Sequence, residues 1–117
     1  PQLNPWNQAE LELAQLREQS GLPVNQFFVR LTDIIRRYIQ RRYEIPAREQ
    51  TTVEFLRASE QDRRLADAHK QMLADFLTSA DMIKVARAAA SPAQMQEALA
   101  KAGTFVAETT PATEDGV

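Results

Sequence analysis

The sequence contains no cysteine and only three glycines, Gly21, Gly103 and Gly116, which lie far apart. Without cysteine the chain has no disulfide, no thiolate nucleophile and no zinc–thiolate site. Phosphate-binding loops and dinucleotide-binding turns need clustered glycines, because the backbone must approach the phosphate closely. These absences exclude a P-loop and a dinucleotide-binding fingerprint.

Long apolar runs and a strong excess of either charge are also missing. Apolar runs such as residues 27–29 span three residues, whereas a helix that crosses a bilayer needs about 18. The net charge of −2 gives the whole molecule no bulk attraction for nucleic acid or anionic lipid. With 117 residues, 44% hydrophobic and 26% charged, the chain has the composition of one soluble globular domain.

Apolar residues recur at helical spacing along most of the chain, and no stretch alternates as a strand would. Asn4-Pro5 predicts the start of a first helix, which Ser20-Gly21 ends. A second helix begins near Pro23 and ends by Ile45, because Pro46 disfavours helical backbone in the residue before it. Its apolar stripe consists of Val24, Phe27, Phe28, Leu31, Ile34, Ile35, Tyr38 and Ile39.

A capping box marks the start of a third, short helix. Thr51 is the predicted N-cap, and Glu54 stands three residues later, where its carboxylate reaches back to the backbone of the cap. The helix that follows presents Val53, Phe55 and Leu56. Thr51 and Glu54 are therefore interpreted as structural residues.

Two further helices complete the pattern. Asp62 is expected to cap the fourth, which residues 78 and 79 (Thr-Ser) interrupt or kink, and Ser91 begins a last helix that runs to about Val106. The acidic, apolar-poor residues 107–117 are expected to form a disordered tail. The sequence thus predicts an all-α fold, a compact irregular array of five or six helices in a single domain of residues 1–106. Its core should contain Phe27, Phe28, Leu31, Ile35, Phe55, Leu73 and Phe76.

The most basic part of the chain lies between Arg30 and Arg48. Six arginines there oppose only Asp33 and Glu44, a local net charge of +4. Together with two tyrosines they could grip phosphate and stack on bases, so a nucleic-acid interface and a protein-binding patch are both open alternatives. A structural role is favoured, because specific nucleic-acid domains show a stronger basic excess than one helix of an acidic protein.

Helical geometry assigns these arginines to different faces of the second helix. Arg30, Arg37 and Arg41 lie opposite the apolar stripe, on a face predicted to be solvated. Arg36 and Arg42 flank the stripe, where they could bend toward buried carboxylates.

Few residues offer catalytic chemistry. His69, the only histidine, lies among apolar residues and is interpreted as a core-edge residue, and no acid–base pair or metal-binding loop is visible. Asp81 and Lys84 are three apart in an apolar setting, and either pair with each other or mark a contact surface. We hypothesise that Arg36 or Arg42 clamps Asp81, because an unpaired carboxylate beside apolar stripes is costly to desolvate.

The stretches "FFVRLTDIIRRYIQRRYEIPAREQTTVEFL" and "LADFLTSADMIKVA" resemble the soluble cytoplasmic domain of an uncharacterised family of bacterial membrane-anchored proteins. Members are often encoded beside MoxR-type ATPases and von Willebrand factor A-type proteins, in operons of the Bacteroides aerotolerance kind. The resemblance spans about residues 24–87, and Val85 stands where the family usually has an aromatic residue. The matching positions are Phe27, Phe28, Leu31, Arg36, Tyr38, Arg42, Tyr43, Ile45, Ala47, Thr51, Thr52, Glu54, Phe55, Asp81 and Lys84.

The resemblance implies no enzyme activity, cofactor or catalytic residue. It implies a location on the cytoplasmic side of the bacterial inner membrane, a membrane-spanning helix upstream of Pro1, and a protein partner, with the von Willebrand factor A-type and MoxR-type proteins as candidates. The expected function is a non-enzymatic protein-interaction module. The alternative is a small regulatory domain that binds nucleic acid through the Arg36–Arg42 helix, although no nucleic-acid partner is expected.

Overall fold

The computed structural model describes residues 3–19, 21–46, 49–86 and 90–111, without the side chains of residues 84–86. These residues form five helices: α1 (Pro5–Glu18), α2 (Val24–Tyr43), α3 (Thr52–Glu60), α4 (Asp67–Ala86) and α5 (Pro92–Thr109). The described ranges contain no strand, so the predicted all-α fold is confirmed. None of these helices is long and apolar enough to cross a membrane, as judged on the described residues.

Helix α2 lies at the centre of the fold and contacts α1, α4 and α5, while α3 packs on α4. Helices α4 and α5 run antiparallel, since His69 near the start of α4 contacts Glu108 near the end of α5. The radius of gyration is 14.0 Å, close to the ~13 Å expected for a compact chain of this length. The helices thus form one compact, irregular array.

One hydrophobic core joins all five helices. The apolar stripe of α2 supplies its middle, and Leu31, Ile35 and Ile39 are almost fully removed from solvent. Phe55 is the buried anchor of α3, whereas Val53 is 63% exposed. All seven predicted core residues belong to this core: Phe27, Phe28, Leu31, Ile35, Phe55, Leu73 and Phe76.

The predicted helix starts are confirmed at three sites. Asn4 accepts a hydrogen bond from the backbone N–H of Asn7 through its side chain, with proline following at the first helical position. Thr51 and Ser91 each form a complete capping box, in which Glu54 and Gln94 bond back to the cap. These side chains satisfy backbone N–H groups that have no partner within the helix.

The start of α4 differs from the prediction. Asp62 does not cap it: its carboxylate accepts hydrogen bonds from the backbone and side chain of Arg64, which fixes a tight turn, and α4 begins at Asp67. Leu65, 2% exposed, anchors this turn in the core. The predicted interruption is also wrong, since α4 is continuous through residues 78 and 79, whose side chains are exposed.

Helix α5 extends beyond the predicted end at Val106. It runs to Thr109, which is buried and lies one helical turn after Phe105, on the same apolar face. Residues 107–109 therefore belong to the folded domain and not to a disordered tail. The sequence did not indicate this last turn as helical, because only one of its residues is buried and the others are exposed. Residues 110 and 111 follow the helix, and residues 112–117 of the predicted tail lie outside the described residues.

Candidate functional site

A chain of hydrogen bonds links α2, α3 and α4 through the hydroxyl group of Thr52. Arg36 donates one hydrogen bond to the Thr52 hydroxyl and another, 2.8 Å long, to the backbone oxygen of Gln50. The Thr52 hydroxyl in turn donates to Asp81. The Arg36 guanidinium also lies 5.7 Å from the ring centre of Phe55. We call Arg36, Thr52 and Asp81 the polar bridge. It fastens the N-terminus of α3 between the two long helices.

The other residues of the hypothesised clamp take separate roles. Arg42 donates to the backbone oxygen of Thr109, at 3.3 Å from Nη2, and so closes the C-terminal end of α5 rather than reaching Asp81. Thr51 and Glu54 form the exposed capping box of α3. Lys84 lies in α4, and its side chain lies outside the described residues. Of the two candidate arginines, Arg36 is the one that shares a partner with Asp81.

The arginine face of α2 that was predicted to be solvated also contacts α1, which packs antiparallel along α2. Arg30 is exposed, as predicted, whereas Arg37 and Arg41 are half-buried, because α1 lies beside them in an arrangement that local sequence spacing does not specify. The contacts are Arg30 with the Gln19 side chain at 2.9 Å, Arg37 with Glu12 and Asp33, and Arg41 with the backbone oxygen of Leu3 at 2.7 Å. These side chains stabilise the helix pair.

The two tyrosines of the basic stretch are buried rather than available for stacking on bases. Tyr43 is 3% exposed, and the guanidinium carbons of Arg42 and Arg64 lie 4.7 Å and 5.3 Å from the centre of its ring. Burial raises the pKa of Tyr43 above its ordinary value of 10.0. Arg64 also donates to the backbone oxygen of Tyr43, which closes the C-terminal end of α2. The hydrogen bond that Arg64 donates to Asp62 lowers the pKa of the Asp62 carboxyl group.

His69 ties α4 to α5. Its Nε2 atom lies 3.0 Å from a carboxylate oxygen of Glu108, and its ring packs edge-on against Phe105 with 6.3 Å between ring centres. These are its contacts within the described part of the chain, and they match the predicted core-edge position. The described residues contain no group of three or more histidine, aspartate or glutamate side chains that could hold a metal ion.

A groove of about 310 Å³ lies between α4 and α5. Its floor is apolar, and its rim carries charged and polar side chains. Residues of α4 line it at helical spacing, and α5 supplies the opposite wall. We call this surface the α4–α5 groove. The floor consists of Phe28, Met72, Phe76, Ala80, Ile83 and Ala98, and the rim consists of Asp75, Ser79, Gln94, Glu97 and Lys101.

Of the three charged residues at the rim, Glu97 and Lys101 pair with each other and Asp75 has no cationic partner among the described residues. Lys101 lies 3.2 Å from Glu97 on the same helix, so these two charges oppose each other. Asp75 accepts a hydrogen bond from the Gln71 side-chain amide at 2.9 Å, and no described lysine or arginine pairs with it. The α4–α5 groove therefore combines an apolar floor with one uncompensated carboxylate.

Sequence reasoning missed this groove. The α4 segment reads as an ordinary inner stripe, and Asp75 and Ser79 look like typical surface positions. Two of the lining residues, Ala80 on α4 and Ala98 on α5, have short side chains that leave room between the two helices. The short side chains at these two positions are the signal, and it becomes informative only once the antiparallel pairing of the helices is known.

Comparison of the chain with protein-family models, with curated proteins and with solved structures finds no match.

Proposed function

We propose that this chain is a non-enzymatic protein-interaction module and that the α4–α5 groove receives a segment of a partner protein. The groove is the observation that carries the proposal. An apolar concavity with a few polar groups at its rim is the usual form of a binding site, because the floor supplies affinity and the rim supplies orientation.

The other clefts support a binding role less well. The cleft between α1 and α2 is lined by Glu12, Arg30, Asp33 and Arg37, whose charges already engage one another or a neighbouring side chain. A ligand there would have to replace existing pairs. The open cleft beside α3 is lined mainly by polar residues, including Glu49, Glu54 and Arg57. Neither offers the apolar floor that the α4–α5 groove has.

The setting of the module is proposed from the family resemblance. The domain then lies on the cytoplasmic side of the bacterial inner membrane, in a membrane-anchored protein, and its partner is a von Willebrand factor A-type or a MoxR-type protein. The polar bridge supports this role indirectly, because it fixes α4, one wall of the groove, to α2 and α3.

The nucleic-acid alternative has less support. Arg36, Arg37, Arg41 and Arg42 all engage groups of the protein itself. Phosphate binding would require these side chains to release their present partners. A basic surface that serves nucleic acid holds its arginines free to contact phosphates, so the alternative stays second.

Two neighbouring residues of α4 allow a matched test. Ser79 lines the groove and Thr78 does not, although both are small, hydroxyl-bearing and exposed. Ser79→Arg should block the groove, and Thr78→Arg should add the same charge outside it. We expect calorimetric titration with a purified von Willebrand factor A-type or MoxR-type protein of such an operon to give binding that Ser79→Arg weakens at least about tenfold. Absence of binding to both proteins, or equal affinity for the two variants, would overturn the proposal.

A further inference from the structure

Asp75 sets a chemical requirement on whatever occupies the α4–α5 groove. It is the rim carboxylate without a lysine or arginine partner in the described part of the chain, and it lies beside the apolar floor. An apolar or acidic segment that covered Asp75 would remove water from its unpaired carboxylate, and this desolvation would weaken binding. A cationic side chain placed against it would form a charge-assisted hydrogen bond instead.

The shape of the groove indicates the backbone form of the occupant. Its α4 lining follows one helix face, at positions 72, 75, 76, 79, 80 and 83, and its α5 lining does the same at 94, 97, 98 and 101. Along the helix axes these walls extend about 16 Å and about 10 Å, at about 1.5 Å per residue. Anchors at i, i+3 or i+4, and i+7 of a third helix span about 10 Å, which fits the length shared by both walls.

The volume limits how deeply such a helix enters. One turn of helix, about 10 Å across and about 5.4 Å long, occupies roughly 420 Å³, more than the approximately 310 Å³ of the groove. Side chains of the partner therefore enter the groove, while its backbone lies above the rim. Unbranched or γ-branched apolar side chains reach the floor formed by Phe28 and Phe76, and charged neighbours meet the rim.

Resting on the proposed function, we infer that the α4–α5 groove binds a basic amphipathic helix of the partner protein. Its apolar face supplies two or three anchoring side chains at helical spacing. A lysine or arginine beside these anchors pairs with Asp75. Extended peptides, acidic helices and a second copy of this chain are the competing occupants, and binding experiments distinguish them.

The first test selects the occupant from random sequences. A phage-displayed library of helical peptides of about 16 residues, randomised along one face, is selected on the wild-type domain and depleted on Ser79→Arg. The expected peptides carry leucine, methionine or phenylalanine at i, i+4 and i+7, with lysine or arginine beside them. Enrichment of acidic or proline-rich peptides, or no enrichment above the depleted pool, overturns the inference.

A charge exchange then tests Asp75 itself. Asp75→Lys should weaken binding of the best basic peptide about five- to tenfold, and replacing that peptide's lysine with glutamate should restore the affinity for this variant. Asp67→Lys changes the net charge of α4 by the same amount at a fully exposed position and should leave the affinity unchanged. Equal losses for both variants, or no restoration, contradict the assigned pairing.

The outcomes also separate this inference from the proposed function. If Ser79→Arg abolishes binding of the partner protein while Asp75→Lys leaves it intact, the groove is a partner site and the basic-helix inference fails. If neither variant changes partner binding, the proposed function itself fails. Sedimentation velocity that shows a dimer of this chain, dissociated by Ser79→Arg, would identify a second copy as the occupant and overturn the inference.

Discussion

The hydroxyl groups of Tyr38 and Thr109, 71 positions apart in the sequence, lie 2.6 Å from each other inside the core. Thr109 uses its own hydroxyl proton for the backbone oxygen of Phe105, at 2.7 Å, so Tyr38 is the donor between the two hydroxyls. This bond joins α2 to the last residue of α5, while Arg42 donates to the backbone oxygen of the same threonine. The end of α5 is therefore held by two residues of the central helix.

Removing the Thr109 hydroxyl tests this attachment. Thr109→Val keeps the shape of the side chain but leaves the buried Tyr38 hydroxyl without its acceptor, and we expect the free energy of unfolding to fall by about 1–2 kcal/mol. Thr109→Ser retains the hydroxyl and should cost less. Urea denaturation followed by circular dichroism measures both. A Thr109→Val variant as stable as the wild type would mean that the end of α5 contributes little.

The buried tyrosines predict a loss of stability in alkali. Burial is the main cause that raises the pKa of Tyr38 and of Tyr43 above the ordinary value of 10.0. Above that pH the unfolded chain releases tyrosine protons that the folded chain still binds, so the free energy of unfolding falls as pH rises. The effect is absent well below pH 10, because both states are then protonated.

Chemical denaturation at a series of pH values between about 8 and 11 checks this. The variant with Tyr38→Phe and Tyr43→Phe should show a shallower decline above pH 10 than the wild type, whatever its stability at neutral pH. Lysines ionise in the same range in both proteins, so the difference between the slopes isolates the tyrosines. Parallel slopes would contradict the raised pKa values.

The polar bridge predicts a specific role for Thr52. Its hydroxyl accepts from Arg36 and donates to Asp81, and Thr52→Val removes both bonds while keeping the volume. We expect a loss of about 1–2 kcal/mol in the free energy of unfolding, with Thr52→Ser close to the wild type. The neighbouring change Thr51→Ala removes the N-cap and should cost about 1 kcal/mol by a different mechanism. If Thr52→Val costs nothing, the bridge is not a stabilising contact.

Helix α3 offers a comparison between an anchor and a surface residue. Phe55→Ala should cost about 3–5 kcal/mol, because it leaves a cavity at a position with no exposed surface. Val53→Ala, at a position that is 63% exposed, should change the free energy of unfolding by less than about 0.5 kcal/mol. Thermal unfolding of both variants gives the comparison, and similar losses would contradict the packing of α3.

Local signals in the sequence were sufficient for some of these features. The caps at Asn4, Thr51 and Ser91 depend on residues within one helical turn, and the apolar stripe of α2 depends on spacing alone, so both were predictable. The start of α4 was not predictable, because the carboxylate of Asp62 accepts hydrogen bonds from Arg64 in a turn and does not cap the helix.

Features that depend on which helices meet were not predictable. The contacts of Arg30, Arg37 and Arg41 with α1 were missed because nothing in the spacing of these residues reveals that α1 packs beside them. The polar bridge was predicted only in part. Arg36 and Asp81 were both named as residues of a clamp, but the Thr52 hydroxyl that joins them was given no role beyond its place in the family pattern. The α4–α5 groove was missed entirely, since its walls come from two helices whose pairing the sequence does not state.

Nuclear magnetic resonance mapping tests whether the α4–α5 groove is the partner-binding surface. A ¹⁵N-labelled domain is titrated with the unlabelled von Willebrand factor A-type or MoxR-type partner, and the amide shifts are compared. We expect the largest changes at groove residues, among them Met72, Ser79, Ile83, Ala98 and Lys101. Changes centred instead on the arginine-bearing side of α1 and α2, with the groove residues unaffected, would contradict it.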